Sequence, residues 1–182
     1  MNSYNGIAKG LHWLVLLLLV VQFIVAWTMP DIGHDTKPDG LIAWHLSVGT
    51  SILLIMLVRL AWRSVSIVPP PPDDLAAPLR VLSRSTHFLL YAILIVLPLL
   101  GWINANARGW TVRLVGLIPL PTLSPEGSSW GQDMGAVHQV VAYVLLGFVG
   151  LHVLGAMYHQ FVLRDGLLNR MLPTHTPPQH SR

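Results

Sequence analysis

Four long apolar stretches constrain the fold of this chain more than any other feature of its sequence. They span about residues 11–29, 41–62, 86–103 and 137–161. Each has about 18 to 25 residues, which is enough for an α-helix to cross a bilayer core about 30 Å thick. A hydrocarbon core accepts only helices and closed barrels, because every backbone polar group must be hydrogen-bonded internally. The pattern predicts an all-α integral membrane four-helix bundle.

The composition agrees with a membrane protein. Of the 182 residues, 53% are hydrophobic and only 10% are charged, whereas soluble domains carry about 25% charged residues. The first apolar stretch is too long for the core of a signal peptide, and no small-x-small cleavage site follows it, so we expect a retained helix. We expect residues 1–172 to form one four-helix domain and residues 173–182 to form a disordered tail.

Lysine and arginine are distributed unevenly between the loops. Most of them lie near the ends of the chain and in the loop between the second and third spans, including Lys9, Arg63, Arg80, Arg84 and Arg164. Positively charged loops stay in the cytoplasm, so both termini and the second loop are predicted to face inward. That loop contains VPPPPDD, which is typical of a stiff extended connector.

Histidine is the residue type that points to function. Six of the histidines lie in or next to the predicted spans, and ionisable side chains inside a membrane are costly and usually functional. The alternative for any one of them is a structural hydrogen bond between helices. The six are His12, His45, His87, His138, His152 and His159.

Depth sorts four of these histidines into two pairs. His138 and His152 are fourteen residues apart in the fourth span, and this separation corresponds to about 21 Å along a helix and about 40° of rotation. Both therefore point in nearly the same direction at two levels. His45 is level with His138 near the outer side, and His12 is level with His152 near the inner side.

The residue inventory limits what paired imidazoles can hold. The chain has no cysteine, which excludes disulfides, iron–sulfur clusters, thiolate-ligated haem and cysteine nucleophiles. The predicted spans contain no Asp or Glu, whereas zinc sites favour a carboxylate or a third ligand and proton pumps favour an intramembrane acid. Haem with one imidazole on each side of the iron fits better. Small residues near the pairs would leave room for a porphyrin or, equally, allow close helix packing; they are Ser47, Gly49, Gly147, Gly150 and Gly155.

Five stretches of the chain resemble the prokaryotic cytochrome b561 family of four-helix, two-haem membrane proteins. They are GLHWLV, AWHLSVGTSILLIMLVRL, STHFLLYAILIVLPLLGW, GAVHQVVAYVLLGFVGLHVLGAMYHQFVLRD and NRML, and the resemblance covers about residues 4–172. It implies two haems b stacked across the bilayer, with His12 and His152 holding the inner haem and His45 and His138 holding the outer one. It also implies a multi-pass protein of the bacterial cytoplasmic (inner) membrane.

The resemblance further implies electron exchange with the ubiquinone pool, and superoxide:ubiquinone oxidoreductase activity has been assigned within the family. In that reaction superoxide gives its electron to the outer haem, and two electrons with two protons convert quinone to quinol. Two alternatives stay open: a passive cytochrome b subunit of a partner dehydrogenase or reductase, and a structural or transport bundle without a cofactor. The expected partners are membrane lipid, the quinone pool, a small anion such as superoxide and, for a passive subunit, a redox protein. No nucleic-acid partner is expected.

Further residues suggest sites around the haems. Arg108 and Arg113, in the outer third loop, would attract a small anion, although loop arginines also bind haem propionates. His87 and His159, near the inner ends of their spans, are predicted to deliver protons to a quinone, although they would also suit interfacial anchoring. Arg59, near the inner end of the second span, is predicted to pair with an inner haem propionate, and the alternative is that it snorkels to the inner surface.

Overall fold

Four long α-helices form a bundle in the computed structural model, which describes residues 4–33, 35–66 and 77–172. Within this part of the chain, each helix is long and apolar enough to cross a membrane, with a mean hydropathy of 2.1 to 2.2 in its apolar segment. The predicted all-α membrane four-helix bundle is therefore confirmed. The helices are α1 (Gly6–Thr28), α2 (Gly40–Val65), α3 (Ala77–Ala107) and α4 (Ser129–Tyr158).

The helices are longer than the apolar stretches that predict them. α3 begins at Ala77 and α4 begins at Ser129, before the expected starts near residues 86 and 137, because a helix satisfies its own backbone and continues through polar residues at the membrane surface. The added turns place Asp133 within α4, so the lack of acidic residues holds for the apolar segments and not for the whole helix. The VPPPPDD connector and the predicted tail at 173–182 lie outside the described residues.

The helices pack unevenly around a small core. Within the described residues, α1 packs mainly on α2 and α3 packs mainly on α4, whereas α4 makes few close backbone contacts with α1 or α2. Large apolar side chains such as Leu17, Trp27 and Phe88 cover the outside, as expected where lipid rather than water is the solvent. The buried core consists of Val15, Leu19, Val48, Ile52, Met56, Leu94 and Leu145.

A short hairpin lies at the end of the bundle where α3 ends and α4 begins. We call this the outer end, after the orientation predicted from lysine and arginine. Strands β1 (Arg113–Leu114) and β2 (Ile118–Pro119) pair antiparallel. The Thr50 hydroxyl donates to the backbone carbonyl of Arg113 at 3.1 Å and thereby ties the hairpin to α2. Gly116 turns the hairpin at a φ of 72°, and a Cβ there would lie 3.1 Å from the Ser47 hydroxyl.

The segment after α4 folds back to the start of α1 at the opposite, inner end. α4 continues into a π-helical turn over His159–Leu163, and Arg164 then adopts a left-handed φ of 53°. The ammonium group of Lys9 donates to the carbonyl of Leu172 at 2.9 Å. The beginning and the end of the helical bundle are therefore joined by direct hydrogen bonding.

Candidate functional site

Two histidine rings face each other near the outer end of the bundle. His45 lies in the second turn of α2, and His138 lies in the third turn of α4. Their ring centroids are 6.0 Å apart, and their planes are inclined at 72°. Both side chains are half-buried. The structure thus brings together the two residues that depth alone predicts to be level.

Each outer ring contacts a partner on a neighbouring helix. Nδ1 of His138 lies 2.9 Å from the carbonyl oxygen of Leu97. Because a carbonyl only accepts, Nδ1 carries the proton and Nε2 keeps its lone pair. Gly101 leaves room for this ring, since a Cβ there would lie 3.0 Å from Cε1 of His138. The carboxamide of Gln22 contacts the other ring, with its Nε2 3.1 Å from Nδ1 of His45.

A second pair lies towards the inner end. The centroids of His12, on α1, and His152, on α4, are 6.1 Å apart, with 71° between the ring planes. A third ring, that of His87 on α3, packs edge-on against His152 at 5.1 Å. Nδ1 of His87 is 2.7 Å from the carbonyl oxygen of Ser83, to which it donates. Three imidazoles from three helices therefore cluster at the inner level.

One continuous helix sets the distance between the two levels. α4 runs unbroken from Ser129 to Tyr158 and contributes His138 to the outer pair and His152 to the inner pair. Fourteen residues of α-helix correspond to a rise of about 21 Å. The two pairs are thus stacked along the axis of α4 and not side by side.

The spacing within each pair fits one haem iron held between two imidazoles. A ligating nitrogen lies about 2 Å from its metal and the ring centroid about 1 Å further out, so opposed ligands have centroids about 6 Å apart. Within the described residues, α4 makes few close backbone contacts with α1 or α2, the helices that carry the opposing rings. Gly147, Gly150 and Gly155 also have nothing within 4 Å of where a Cβ would stand.

The protein donors alone do not suit a bare metal ion. Across residues 4–33, 35–66 and 77–172, no group of three or more His, Asp or Glu side chains is placed to hold one. Structural and catalytic zinc sites use three or four protein ligands. The donor set, one facing pair of imidazoles at each level with His87 packed beside the inner pair, therefore fits bis-histidine haem better than zinc.

Arg59, on α2, reaches α1 one turn before His12 and α3 one turn after His87. Its Nε donates to the hydroxyl of Tyr91 at 3.0 Å, and its Nη1 donates to the carbonyl of Ala8 at 3.2 Å. These bonds fix the guanidinium between α1, α2 and α3. The contact of Arg59 with a haem propionate stays a prediction. Tyr91 is a hydrogen-bond partner of Arg59 that sequence reasoning missed.

The two histidines predicted to deliver protons have different partners. His87 packs on His152, whereas Nδ1 of His159 lies 2.6 Å from Oδ2 of Asp165. A carboxylate accepts, so Nδ1 of His159 donates and Nε2 is the nitrogen left for other chemistry. Within the described residues no hydrogen bond or ring contact joins His87 to His159. Their shared role in quinone chemistry stays a prediction.

Asp165 is held as a carboxylate by its surroundings. Partial burial raises the pKa of its carboxyl group, but the hydrogen bonds from His159 and from the backbone N–H of Leu167, with the charge of Arg170, outweigh that effect. The pKa of Asp165 therefore lies below its ordinary value. An ionised Asp165 fixes the tautomer and orientation of His159, as a carboxylate does for the histidine of a catalytic triad.

The two arginines predicted to steer an anion both lie at the outer end. Nε of Arg108 donates to Oδ1 of Asn104 at 3.2 Å, and the guanidinium stacks over the Trp110 ring at 5.7 Å. Arg113 is exposed and donates to the carbonyl of Leu117 across the hairpin at 3.3 Å. Both side chains thus also stabilise the outer loop, and anion steering stays a prediction.

Sequence reasoning missed three partners of the site histidines. The sequence does mark Gln22, because it is the only polar side chain between residues 14 and 26 of an otherwise apolar stretch. Asp165 follows His159 by six residues but lies beyond the predicted span. Nothing in the sequence marks the carbonyl of Leu97, since every residue has a backbone carbonyl.

Comparison with known proteins places the chain among membrane cytochromes. The family model described as prokaryotic cytochrome b561 matches residues 3–174. A protein of Yersinia pestis named probable superoxide oxidase CybB is 32% identical, over 94% of this chain and 97% of its own length. Cytochrome b561 homolog 2 of Escherichia coli (strain K12) is 24% identical, over 94% of this chain and 92% of its own. Cytochrome b562 of Cereibacter sphaeroides is 27% identical, over 93% and 95%.

Proposed function

Because the chain belongs to the prokaryotic cytochrome b561 family, we propose that it is a superoxide:ubiquinone oxidoreductase of the bacterial inner membrane. Family membership makes it a multi-pass membrane electron-transfer protein that binds haem b. The observation that carries the finer proposal is the pair of facing histidines at each of two levels, at 6.0 and 6.1 Å between ring centroids. Two such levels on one helix form a path for electrons across the bilayer.

The proposed reaction balances with two superoxide anions for each quinone. Each superoxide loses one electron at the outer face and becomes dioxygen. Two electrons and two protons then convert one ubiquinone to one ubiquinol at the inner face. Bound haem b supplies one-electron redox chemistry, which suits a donor that gives single electrons.

The histidine pairs hold and orient the cofactors in this proposal. His45 and His138 would hold the haem at the outer level, and His12 and His152 would hold the haem at the inner level. The bond from Nδ1 of His138 to the Leu97 carbonyl supports this assignment, because it leaves Nε2 as the ring nitrogen whose lone pair is available to a metal. Arg59, fixed by Tyr91 near the inner end, would neutralise a propionate.

Electrons enter the protein at the outer end, from a small anionic donor. Arg108 and Arg113 place positive charge there, and a small anion is drawn to such a surface faster than diffusion alone allows. The name of the Yersinia pestis relative, probable superoxide oxidase, supports superoxide as that anion. With both termini inside, this end faces the periplasm.

The inner end supplies protons to the quinone. His159 is the proposed donor, because Asp165 holds its Nδ1 proton at 2.6 Å and leaves Nε2 to exchange protons with a quinone oxygen. His87, exposed beside His152, is the second proposed group. An imidazole can both give and take a proton near neutral pH, which a two-proton reduction requires.

One experiment tests the proposal directly. The purified full chain, reconstituted with haem b and ubiquinone in detergent, is exposed to an enzymatic superoxide source, and ubiquinol is measured by its absorbance change. We expect quinol to accumulate at one molecule per two superoxide anions and to stop when superoxide dismutase is added. Haem reduction without quinol formation would instead indicate a passive electron-transfer subunit, and a preparation without a haem spectrum would refute the cytochrome reading.

A further inference from the structure

Two arginines of α2 share one aromatic ring at the inner end of the bundle. Arg59 is half-buried, and Arg63, one helical turn further on, is exposed. Their guanidinium carbons lie 5.8 and 6.0 Å from the centroid of the Tyr91 ring, which belongs to α3. Like charges one turn apart on a helix repel each other, so an anion bound beside both guanidinium groups would stabilise this arrangement.

The donors of Arg63 are available to such an anion. Within the described residues, no Asp or Glu side chain forms a salt bridge with either arginine. Arg59 uses its Nε and Nη1 to hold the Tyr91 hydroxyl and the carbonyl of Ala8. Arg63 makes no hydrogen bond in that part of the chain, and a guanidinium carries five N–H donors in a planar fork. Arg63 is therefore the side chain best placed to bind an anion.

The two arginines line a recess between α1, α2 and α3. Its wall combines cationic, polar and aromatic side chains, which include Asn5, Arg59, Trp62, Arg63, Ser66 and Tyr91. The indole N–H of Trp62 donates to Oδ1 of Asn5 at 3.1 Å, and Nδ2 of Asn5 donates to the hydroxyl of Ser66 at 3.4 Å. These bonds fix an indole beside the cations, and tryptophan is typical of the membrane–water interface.

We propose that this recess binds the phosphate group of an anionic phospholipid, with Arg63 as the principal ligand. A guanidinium fork matches two phosphate oxygens, and basic recesses between transmembrane helices bind anionic lipid head groups. Exposed apolar side chains flank the arginines on α2, among them Val58 and Leu60, and offer contact to acyl chains. Lipid binding here requires no haem or superoxide chemistry, so it is independent of the proposed function.

The test is the binding of phosphatidylglycerol to the purified, haem-loaded full chain, measured by native mass spectrometry after delipidation in detergent. Phosphatidylcholine with the same acyl chains is the neutral comparison. Arg63→Gln should weaken binding of phosphatidylglycerol about 5- to 10-fold and leave that of phosphatidylcholine unchanged. Arg63→Lys should lose less, because it keeps the charge without the fork. Arg84→Gln is the matched control, because Arg84 is an exposed arginine of α3 outside the recess, and it should bind as the wild type does.

Two further measurements identify the occupant of the recess. Inorganic phosphate in large excess should not displace phosphatidylglycerol, and displacement would assign the recess to free phosphate instead of a lipid. The connector after α2 carries Asp73 and Asp74, and changing both to Asn should leave lipid binding undiminished. Lipid binding that appears only in this double variant would show that the connector pairs with Arg63. Equal affinities of the wild type and Arg63→Gln for phosphatidylglycerol, or an equal loss in Arg84→Gln, would overturn the lipid site.

Discussion

The imidazole of His12, on the first helix, faces that of His152, on the last, with 6.1 Å between ring centroids. These two helices make few close backbone contacts with each other within the described residues. Their histidines therefore meet across a gap and not through helix packing. The same holds for His45 and His138, at 6.0 Å. A gap bridged by paired imidazoles is the geometry that a flat, metal-centred cofactor requires.

Replacing His45 with Ala should remove about one haem per chain and leave the other spectrally intact. The reason is that each haem would be held by two imidazoles, and the two facing pairs share no histidine. Pyridine-haemochrome content per protein measures the loss. His87→Ala is the matched control and should retain both haems. An unchanged haem content in His45→Ala would remove His45 from the ligand set.

Replacing Arg113 with Gln should slow haem reduction by superoxide and flatten its dependence on ionic strength. Salt screens attraction beyond about 8 to 10 Å at physiological strength, so a steering charge has a clear salt signature. Arg113 is the better position for a single substitution, because Arg108 donates to Asn104 and stacks on Trp110, so its loss would also disturb the outer loop. The double change with Arg108→Gln should enlarge the effect. A rate and a salt dependence equal to those of the wild type would exclude anion steering.

Replacing His159 with Leu should keep both haems and their reduction by superoxide while quinol formation falls. A general acid accelerates its reaction about 100- to 10,000-fold, and the fall in the rate of quinol formation should lie in that range. Stopped-flow haem reduction and quinol production are followed in the same preparation. Normal quinol production with both haems present would leave His159 without a proton-delivery role, and loss of a haem would show that the ligand assignment is wrong.

Replacing Asp165 with Asn should lower quinol formation by about 10- to 100-fold, as for other groups that orient a functional histidine. Hydrogen bonds hold the pKa of Asp165 below its ordinary value of 3.8. The carboxylate is therefore ionised at neutral pH, and its bond to His159 is lost only as the pH falls through that lowered pKa. The deficit of the variant should accordingly be present throughout the neutral range, which a pH profile of the rate checks. A deficit that disappears at neutral pH would contradict this account.

Replacing Gly101 with Ala should change the spectrum of the outer haem alone. A Cβ at this position would lie 3.0 Å from Cε1 of His138, so the ring must shift by a few tenths of an ångström. Low-temperature absorption and paramagnetic resonance spectra report such a change in ligand orientation. Gly10→Ala is the control, because nothing lies within 4 Å of its added Cβ. Identical outer-haem spectra in the wild type and in Gly101→Ala would argue against His138 as a ligand.

The four helices and the two histidine pairs could be predicted from the sequence because they depend on length and period. An apolar stretch of about 20 residues forms a helix in lipid whatever surrounds it. Fourteen residues bring a helix back to nearly the same face, so His138 and His152 can be placed without knowing the fold. His45 and His12 then follow from their positions along their own helices.

The partners of these histidines could not be predicted in the same way. The contact of Gln22 with His45 depends on how α1 is rotated against α2, and the bond of His138 to Leu97 depends on how α4 packs on α3. Helix period reports the direction of a side chain relative to its own axis and says nothing of neighbouring axes. Asp165 reaches His159 only because Arg164 turns the chain back at a left-handed φ of 53°.

The outer hairpin was missed for a related reason. Its strands, Arg113–Leu114 and Ile118–Pro119, are two residues long, too short for alternation of polar and apolar residues to be recognised. The hydroxyl of Thr50 on α2 donates to the carbonyl of Arg113 and helps to hold the hairpin. Contacts of this kind come from tertiary structure, so a reading of local pattern cannot supply them.

α4 is the last of the four helices in the chain, yet it contributes one ring to each facing pair. Synthesis delivers helices to the membrane from the N-terminus onward, so an assembly intermediate with three helices has His45 without His138 at the outer level, and His12 and His87 without His152 at the inner level. Haem capture by these pairs, as proposed, is then a late event in biogenesis, and both pairs are completed in the same step. Chains in which the fourth helix fails to integrate would stay colourless and expose unpaired histidines to lipid, a state that membrane quality control could distinguish from the finished protein.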